Sequence, residues 1–286
     1  MNHVGFVTPL LQGKVPDYRL NRVPVNIRVA PALRPRAGVC YGRRHMGREV
    51  GLSRDGAVAT VTLDRPDRRN ALSDALLTEL AGAFAELRDD PGVRVVIVTG
   101  TPPVFSAGAD ARLRSGMSAE ERRQVFAGRK TQFRRLFERA TTLLEGLEQP
   151  TIAMVNGHAV GGGWGLALAC DFRVAAAEAQ FWIPEVDLGV PLGVASTARF
   201  VRFVGPARAK EIILECRRYS AAEAHQLGLV TRVVAGAALV STVREYAALL
   251  AAKPFRPLAE AKARINAIAR TGIPDVNAMT EGHLER

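Results

Sequence analysis

Two glycine-rich segments of the chain could together present backbone N–H groups to a single oxygen atom. Residues 105–110 read Phe-Ser-Ala-Gly-Ala-Asp, and Asn156-Gly157-His158 is followed closely by Gly161-Gly162-Gly163. Each segment follows an apolar, strand-like run, so each places backbone with small side chains at the end of a strand. Two such backbones facing each other would form an oxyanion hole, whose preorganised donors stabilise an enolate or a tetrahedral intermediate. Taken alone, either segment is more typical of a loop that needs glycine for positive φ.

The acidic residue best placed for acid–base chemistry is Glu185. It follows an apolar stretch at 181–184, Phe-Trp-Ile-Pro, which would raise the pKa of a neighbouring carboxyl. A surface turn residue after a proline is the alternative interpretation. Asp187 is a second candidate base that would point the same way if the segment is extended, although a structural role is favoured for it. His158, beside the glycines, is a weaker candidate for the base.

A basic segment at 65–72 reads Arg-Pro-Asp-Arg-Arg-Asn-Ala-Leu and places Arg68 and Arg69 side by side. From the residues alone it can be interpreted as a solvated basic turn. The sequence contains neither a GxxxxGK[ST] nor a GxGxxG motif, so it implies neither a nucleoside triphosphate nor NAD.

Strand-like and helix-like segments alternate up to about residue 189, which favours an α/β fold with parallel strands. Predicted strands lie at 58–63, 93–99, 151–155 and 172–176, the first of them after an Asp55-Gly56 hairpin turn. Ser73 is predicted to cap a helix with one apolar face, and further helices are expected at 118–139 and from the triple glycine onward. Beyond Gly189, helices are predicted at 206–216, 221–227, 237–252 and 258–270.

The charge of the 286-residue chain is concentrated in its first part. The formal net charge is +11, but residues 1–48 hold nine basic side chains and one acidic, against 30 and 27 in the rest. Residues 1–45 show neither strand nor helix periodicity and are predicted to be a disordered extension, with a transit peptide or a translation start at Met46 as alternatives. The three cysteines lack CxxC or metal-ligand spacing and indicate a reduced, cytoplasmic protein without a bound metal. No apolar run is long enough to span a membrane.

From about Glu49 to near the C-terminus, the chain resembles the crotonase (enoyl-CoA hydratase/isomerase) superfamily. The residues that carry the resemblance are the 105–110 segment, Asn156-Gly157-His158, the triple glycine and Pro184-Glu185. The resemblance implies an α/β fold, a crotonase-like spiral of β-β-α units with a C-terminal helical layer. The core is then expected at 46–204 and a helical region at 205–286, which would serve trimerisation and closure of the acyl site. A homotrimer or a dimer of trimers is the implied assembly.

By the same resemblance, the oxyanion donors are the N–H groups of Ala109 and Gly162, and the acceptor is the oxygen of an acyl-CoA thioester. Coenzyme A is then part of the substrate, and no separate cofactor is implied. The implied substrate-binding residues come from both loops, the basic segment and the last helix: Arg68, Arg69, Ala71, Ala107, Asp110, Trp164 and Lys262. Asp110 is also expected to cap a helix or pin its loop.

The chain departs from the hydratase pattern at one carboxylate. Hydratases of the family carry a glutamate two residues after the triple glycine, where this chain has Gly165, and another in the Pro-Glu pair, which is kept as Glu185. Moving a double bond from the β,γ to the α,β position needs a single base, so enoyl-CoA isomerisation is favoured. The chain also ends earlier than family members usually do.

Several alternatives stay open from the sequence. Hydration with Glu185 alone, decarboxylation and thioester hydrolysis would use the same oxyanion hole. A catalytically silent homologue is another possibility, given Gly165. An RNA-binding homologue is motivated by the basic extension, but that segment lacks the interleaved aromatic residues that stack on bases.

Overall fold

The structure is a computed structural model that describes residues 41–110 and 119–270, with side chains described at 46–110 and 131–270. Residues 1–40, 111–118 and 271–286 lie outside the described ranges. The structure therefore does not describe most of the predicted extension at 1–45 or the end of the predicted region at 205–286. One difference from the predicted boundaries is visible. The sheet begins at Tyr41, within the predicted extension, because Tyr41–His45 pairs with the following strand.

Within residues 41–110 and 119–270, seven strands form the main sheet, in the order β1-β2-β3-β4-β5-β7-β10. They are β1 Tyr41–His45, β2 Val50–Asp55, β3 Val58–Leu63, β4 Val95–Gly100, β5 Thr151–Val155, β7 Phe172–Ala176 and β10 Arg232–Val234. A second sheet has the order β6-β8-β9, with β6 Ala159–Val160, β8 Gln180–Trp182 and β9 Tyr219–Ser220.

The helices are α1 Asp74–Arg88, α2 Ala119–Glu145, α3 Gly162–Leu168, α4 Val194–Leu214, α5 Ala221–Gln226, α6 Leu239–Ala251 and α7 Phe255–Arg270. Short 3-10 turns lie at Pro66–Arg68 and Gly236–Ala238. The predicted cap of α1 is confirmed, since the Ser73 side chain accepts a hydrogen bond from the Leu76 amide.

The register of the main sheet brings the loops of interest to one edge. β2 and β3 form the predicted antiparallel hairpin, with Gly56 at φ 58° in its turn. β3, β4, β5, β7 and β10 then run parallel to one another. Because parallel strands share an end, the segments that follow β3, β4 and β5 leave the sheet on the same side, where ligands bind in open α/β sheets.

Alternate residues of the central strands face two separate cores, as the pleat requires. In β4, Val96 and Val98 belong to the large core that includes residues of α1 and α3, whereas Val95 and Ile97 pack with α6. The sheet therefore lies between helical layers on both faces, which fits the predicted α/β fold.

The boundary predicted between residues 204 and 205 falls at a kink within one long helix, α4. Gly205 has φ 73° inside α4, and Pro206 follows it. The second half of α4 matches the helix predicted at 206–216, but the first half was not predicted. Residues 194–204 are rich in β-branched and aromatic side chains, and burial of Ser196, Arg199 and Phe200 outweighs this weak helix propensity.

Lys262 anchors α7 to the sheet. Its Nζ lies 2.7 Å from Asp171 Oδ2 and donates a hydrogen bond to the Gln149 carbonyl at 2.9 Å. Asp171 also accepts hydrogen bonds from the amide and hydroxyl of Thr151, at the start of β5. The implied substrate-binding role of Lys262 stays a prediction; within the described residues its ammonium is paired with Asp171 and its side chain is only 10% exposed.

A second ion cluster joins α2, α4 and α7. The Glu145 carboxylate pairs with Arg199, Arg202 and Arg270. Burial opposes ionisation of Glu145, but the three guanidinium groups outweigh it and hold the pKa of this carboxyl below its usual range.

The described cysteines are packing residues. Cys170 and Cys216 are buried and unpaired, and burial raises the pKa of the Cys170 thiol to about 12, so it is a poor nucleophile. Cys40 lies outside the described residues. Within the described ranges, none of the helices has the length and apolar character needed to cross a membrane.

The anchoring role of Lys262 predicts a loss of stability when its charge is removed. Lys262→Met should lower the free energy of unfolding by about 2 kcal/mol, because the partly buried Asp171 carboxylate loses its cationic partner. Denaturant titration measures the change. Lys210→Met is the matched control on the exposed surface of α4, and it should stay within about 0.5 kcal/mol of the wild type. An equal loss in both variants would contradict the anchoring role.

Candidate active site

The two glycine-rich segments, which follow β4 and β5, meet directly. The amides of Phe105 and Ser106 donate to the His158 carbonyl at 3.1 and 3.2 Å, and the Val160 amide donates to the Ser106 carbonyl at 3.0 Å. The first segment therefore lies alongside β6, just before the triple glycine.

Glycine at position 108 allows the close approach of the first segment to the backbone at 160–162. Gly108 has φ +80°, and a Cβ at this position would lie 2.6 Å from the Val160 carbonyl oxygen and 3.5 Å from the Gly162 nitrogen. Any side chain there would push the two backbones apart. Ala109, the next residue, therefore lies beside the start of α3.

The hydrogen bonding of these segments leaves the two predicted amides available. Every other amide from 105 to 110 donates within the fold: Phe105 and Ser106 to His158, Ala107 to Arg69, Gly108 to the Ser106 hydroxyl, and Asp110 to Leu72. Among the described residues, none accepts a hydrogen bond from the amide of Ala109 or of Gly162. Gly162 is the first residue of α3, where helical amides have no acceptor within the helix and the dipole is positive.

Asn70 holds the basic segment against the donor loop, the segment 101–110 that contains Ala109. Its sequence context did not reveal this role. Its Nδ2 donates to the carbonyls of Thr101 and Val104 at 2.7 and 2.8 Å, and its Oδ1 accepts from the Arg65 amide. The Ser106 hydroxyl in turn donates to the Asn70 carbonyl at 2.8 Å. Asn70 is fully buried at φ 52°, a left-handed conformation that asparagine tolerates better than most residues.

The pairing of β6 with β8 in the second sheet places Glu185 near Gly161 and Gly162. β6 and β8 are parallel, with Val160 opposite Trp182, and the Gly161 amide donates to the Trp182 carbonyl at 2.9 Å. The segments that follow the two strands therefore run side by side. The Glu185 carboxylate lies so close to the Gly161 backbone that a Cβ there would come within 2.2 Å of its Oε1. The φ of +50° at position 161 favours glycine, and a side chain there would also displace the Glu185 carboxylate from its place.

The other candidate bases are placed differently. Asp187 is exposed, in the turn that begins at Pro184 and three residues after it. His158 Nδ1 accepts a hydrogen bond from the Gln180 amide at 3.1 Å, and its ring packs edge-on against Trp182. Asp110 accepts from Arg65 Nη1 at 3.1 Å, which fits the expectation that it pins its loop. Glu185 is therefore the predicted acid–base residue that contacts the triple glycine.

Trp164 does not line a cavity, in contrast to the expectation from the sequence. Its side chain is fully buried in the core, with its ring close to those of Phe181, Phe200 and Tyr219. The reason is helical geometry, since successive residues of α3 point in different directions. The side chain that closes over Gly162 and Gly165 is instead that of Phe137 from α2.

The predicted ligand-binding residues of the basic segment lie at the same edge of the sheet. Arg68 is half-buried with its Nε 3.2 Å from Asp67 Oδ2, and Arg69 is exposed. Ala71 is buried, and both of its backbone groups are used within the fold, the amide by Arg68 and the carbonyl by Arg65. Ala107 is half-buried and donates its amide to the Arg69 carbonyl, so the basic segment and the donor loop are held together.

An apolar groove of about 350 Å³ flanks the turn that carries Glu185. Val186, Leu192, Ile213 and Leu214 are among its lining residues. It includes none of Ala109, Gly162 and Glu185. The groove is thus a neighbour of the donor site and not part of it.

Two amide donors and one carboxylate around three glycines can do a limited set of reactions. Amide donors can stabilise negative charge on an oxygen, and a carboxylate can move a proton on an atom close to it. Two amides beside a carboxylate therefore fit enolate chemistry on a carbonyl compound. Within the described residues, no group of three or more histidine, cysteine or acidic side chains could hold a metal ion.

Known proteins are similar to this chain in sequence. A family model described as enoyl-CoA hydratase/isomerase matches residues 53–282. The crotonyl-CoA hydratase of Syntrophomonas wolfei is 37% identical over 223 residues, which cover 78% of this chain and 83% of that protein. The carnitinyl-CoA dehydratase of Escherichia coli is 37% identical over 206 residues, covering 71% and 74%.

Solved structures give the same result. The enoyl-CoA hydratase of Bacillus anthracis superposes with a TM-score of 0.71 at 34% identity, covering 81% of this chain and 87% of that one. A Thermobifida fusca protein, assigned as an enoyl-CoA hydratase and solved with acetoacetyl-CoA, has a TM-score of 0.70 at 33% identity, covering 81% and 91%. With the matched region spanning the donor loops, the triple glycine and Glu185, the chain belongs to the enoyl-CoA hydratase/isomerase family of the crotonase superfamily and is an enzyme of that family.

Proposed function

We propose that the protein isomerises an enoyl-CoA thioester from the β,γ to the α,β form, with Glu185 as the single base and the amides of Ala109 and Gly162 as the oxyanion donors. The observation that carries the proposal is the contact between the Glu185 carboxylate and the Gly161 backbone, one residue from the Gly162 donor. A base that contacts Gly161 and an oxyanion donor on the next residue, Gly162, can act on neighbouring atoms of one substrate.

In this mechanism the proton moves between two carbons of the acyl chain. Glu185 removes a proton from C2 of the 3-enoyl-CoA, and the electrons of that C–H bond form the enolate, whose negative charge falls on the thioester oxygen. The two amides stabilise this charge as it develops, so they act mainly on the transition state. The protonated Glu185 then returns the proton at C4, the double bond settles between C2 and C3, and the carboxylate is regenerated.

An acyl-CoA substrate is supported by relatives and by the basic segment. One Thermobifida fusca structure was solved with acetoacetyl-CoA and another with CoA. Arg69 is exposed and Arg68 half-exposed, at the edge of the sheet where the donor loops lie. Their charge suits the phosphates of CoA.

Hydration is the second candidate function, because several relatives are named hydratases. Adding water to 2-enoyl-CoA places an oxygen on C3 and a proton on C2, and two carboxylates share these tasks well. Gly165 supplies no second carboxylate, so Glu185 would have to do both. The RNA-binding alternative depends on the basic extension, nearly all of which lies outside the described residues.

The proposed base predicts a specific loss of turnover. Glu185→Gln keeps the shape of the side chain and removes the base, so conversion of 3-enoyl-CoA to 2-enoyl-CoA should slow on the order of a hundredfold or more. The affinity for CoA should be nearly unchanged. Product analysis by chromatography, with binding measured calorimetrically, checks both quantities.

Asp187→Asn is the matched control, because it removes a carboxylate two residues away that is exposed. This variant should keep most of the wild-type turnover. Full isomerase activity in Glu185→Gln, or an equal loss in Asp187→Asn, would move the base away from Glu185 and defeat the mechanism.

The proposed donor at Gly162 predicts a difference between two substitutions at one position. Gly162→Ala keeps the amide and adds a Cβ 3.3 Å from Leu72 Cδ1, whereas Gly162→Pro also removes the N–H. Relative to Gly162→Ala, the proline variant should raise the barrier by about 2.7–4 kcal/mol. Turnover of folded protein, verified by circular dichroism, gives this difference. Equal turnover in the two variants would show that this N–H does not stabilise the transition state.

A further inference from the structure

The space next to Gly165 is already filled by another side chain. A Cβ built on Gly165 would lie 2.0 Å from Ser196 Oγ, 2.9 Å from Ser196 Cβ and 3.4 Å from Phe137 Cζ. Both Gly165 and Ser196 are buried, and Ser196 is only 2% exposed. Position 165 is therefore a point of close contact between α3 and α4.

This contact cannot be relieved by a simple rotation of Ser196. Turning the hydroxyl away would remove the shorter clash, but the Cβ of Ser196 is fixed by the α4 backbone and would still be 2.9 Å away. Phe137 closes the same space from α2. A side chain at 165 and a side chain at 196 thus exclude each other, unless the two helices move apart.

The contact between Gly165 and Ser196 lies one helical turn from the proposed base, Glu185. The Gly165 amide donates to the Gly161 carbonyl at 3.0 Å, so the two glycines are one helical turn apart on one face of α3. Gly161 contacts the Glu185 carboxylate, and Gly165 contacts Ser196. The Ser196 side chain therefore occupies the next turn of the helix surface that holds the proposed base.

We propose that Ser196 is a specificity-determining residue, which excludes a second carboxylate from the neighbourhood of Glu185 and so keeps the enzyme from hydration. This inference rests on the proposed isomerase function. Ser196 and Phe137 fill the space at Gly165, one turn of α3 from the residue that Glu185 contacts. Glu185 is then the single carboxylate in the proposed mechanism, and it transfers one proton from C2 to C4. Hydration would need a further group to hold water while its oxygen bonds to C3 and a proton reaches C2.

The steric part is tested by a double-mutant cycle that does not depend on activity. Gly165→Ala should lower the melting temperature by roughly 5 °C, because its Cβ meets Ser196. In Gly165→Ala/Ser196→Gly the loss should be clearly smaller than the sum of the two single losses, since contacting residues do not behave additively. Additive losses would overturn the inference.

The chemical part is tested by placing a carboxylate at 165 with and without room for it. Gly165→Glu/Ser196→Gly should hydrate 2-enoyl-CoA about tenfold or more faster than either the wild type or Gly165→Glu alone. Gly165→Glu/Ala195→Gly is the matched control, because it adds a glycine to the same turn of α4 without removing Ser196. It should show no such gain.

The outcomes separate this inference from the proposed function. If the double variant folds and gains no hydration while the wild type isomerises 3-enoyl-CoA, the role of Ser196 is overturned and the isomerase function stands. If the wild type hydrates 2-enoyl-CoA rapidly and does not isomerise, the proposed function falls. A non-additive melting cycle together with a gain of hydration restricted to the Ser196→Gly background would support the inference.

Discussion

The close approach of backbone at Gly108 to the backbone at 160–162 is the constraint on which the rest of the site depends. Only the absence of a Cβ at 108 allows the donor loop to lie on β6, since a methyl group there would come within 2.6 Å of the Val160 carbonyl oxygen. The parallel order of β3, β4 and β5 brings the segments to one edge of the sheet, but it does not bring them into contact. The glycine does that, and it leaves the amides of Ala109 and Gly162 without acceptors among the described residues.

Buried polar contacts then hold this approach in place. Asn70 bonds to both sides of the loop after β4, and Arg65 bridges Glu49 and Asp110 while its Nη1 also donates to the Ala71 carbonyl. These groups are poorly exposed, so each lost contact would leave a desolvated partner. The donor loop is thereby positioned by side chains that themselves need not touch a substrate, and the proposed oxyanion donors would be preorganised by this support.

The sequence was sufficient for the features that depend on local pattern. The β2–β3 hairpin, the Ser73 cap, the central strands and the C-terminal helices all follow from turn residues and periodicity, and the structure confirms them. Features decided by distant contacts were missed or misplaced. The first half of α4, the burial of Trp164 and the pairing of Lys262 with Asp171 each depend on a partner far along the chain. Asn70 had a local signal, a residue tolerant of positive φ in a loop, but nothing local identified its partners.

One turn of α3 combines these constraints. Gly161 accommodates the Glu185 carboxylate, and Gly165 contacts Ser196. Gly162 starts the helix with an amide that has no acceptor in the described part of the chain. Gly161 and Gly165 each leave room for a different neighbouring side chain, so this turn is not a flexible loop but a surface shaped by the side chains packed on it. A hydratase-like glutamate at 165 would meet the last of these neighbours before it reached any substrate. The chemistry of this turn is therefore decided as much by the packing of α4 as by the residues of α3 itself.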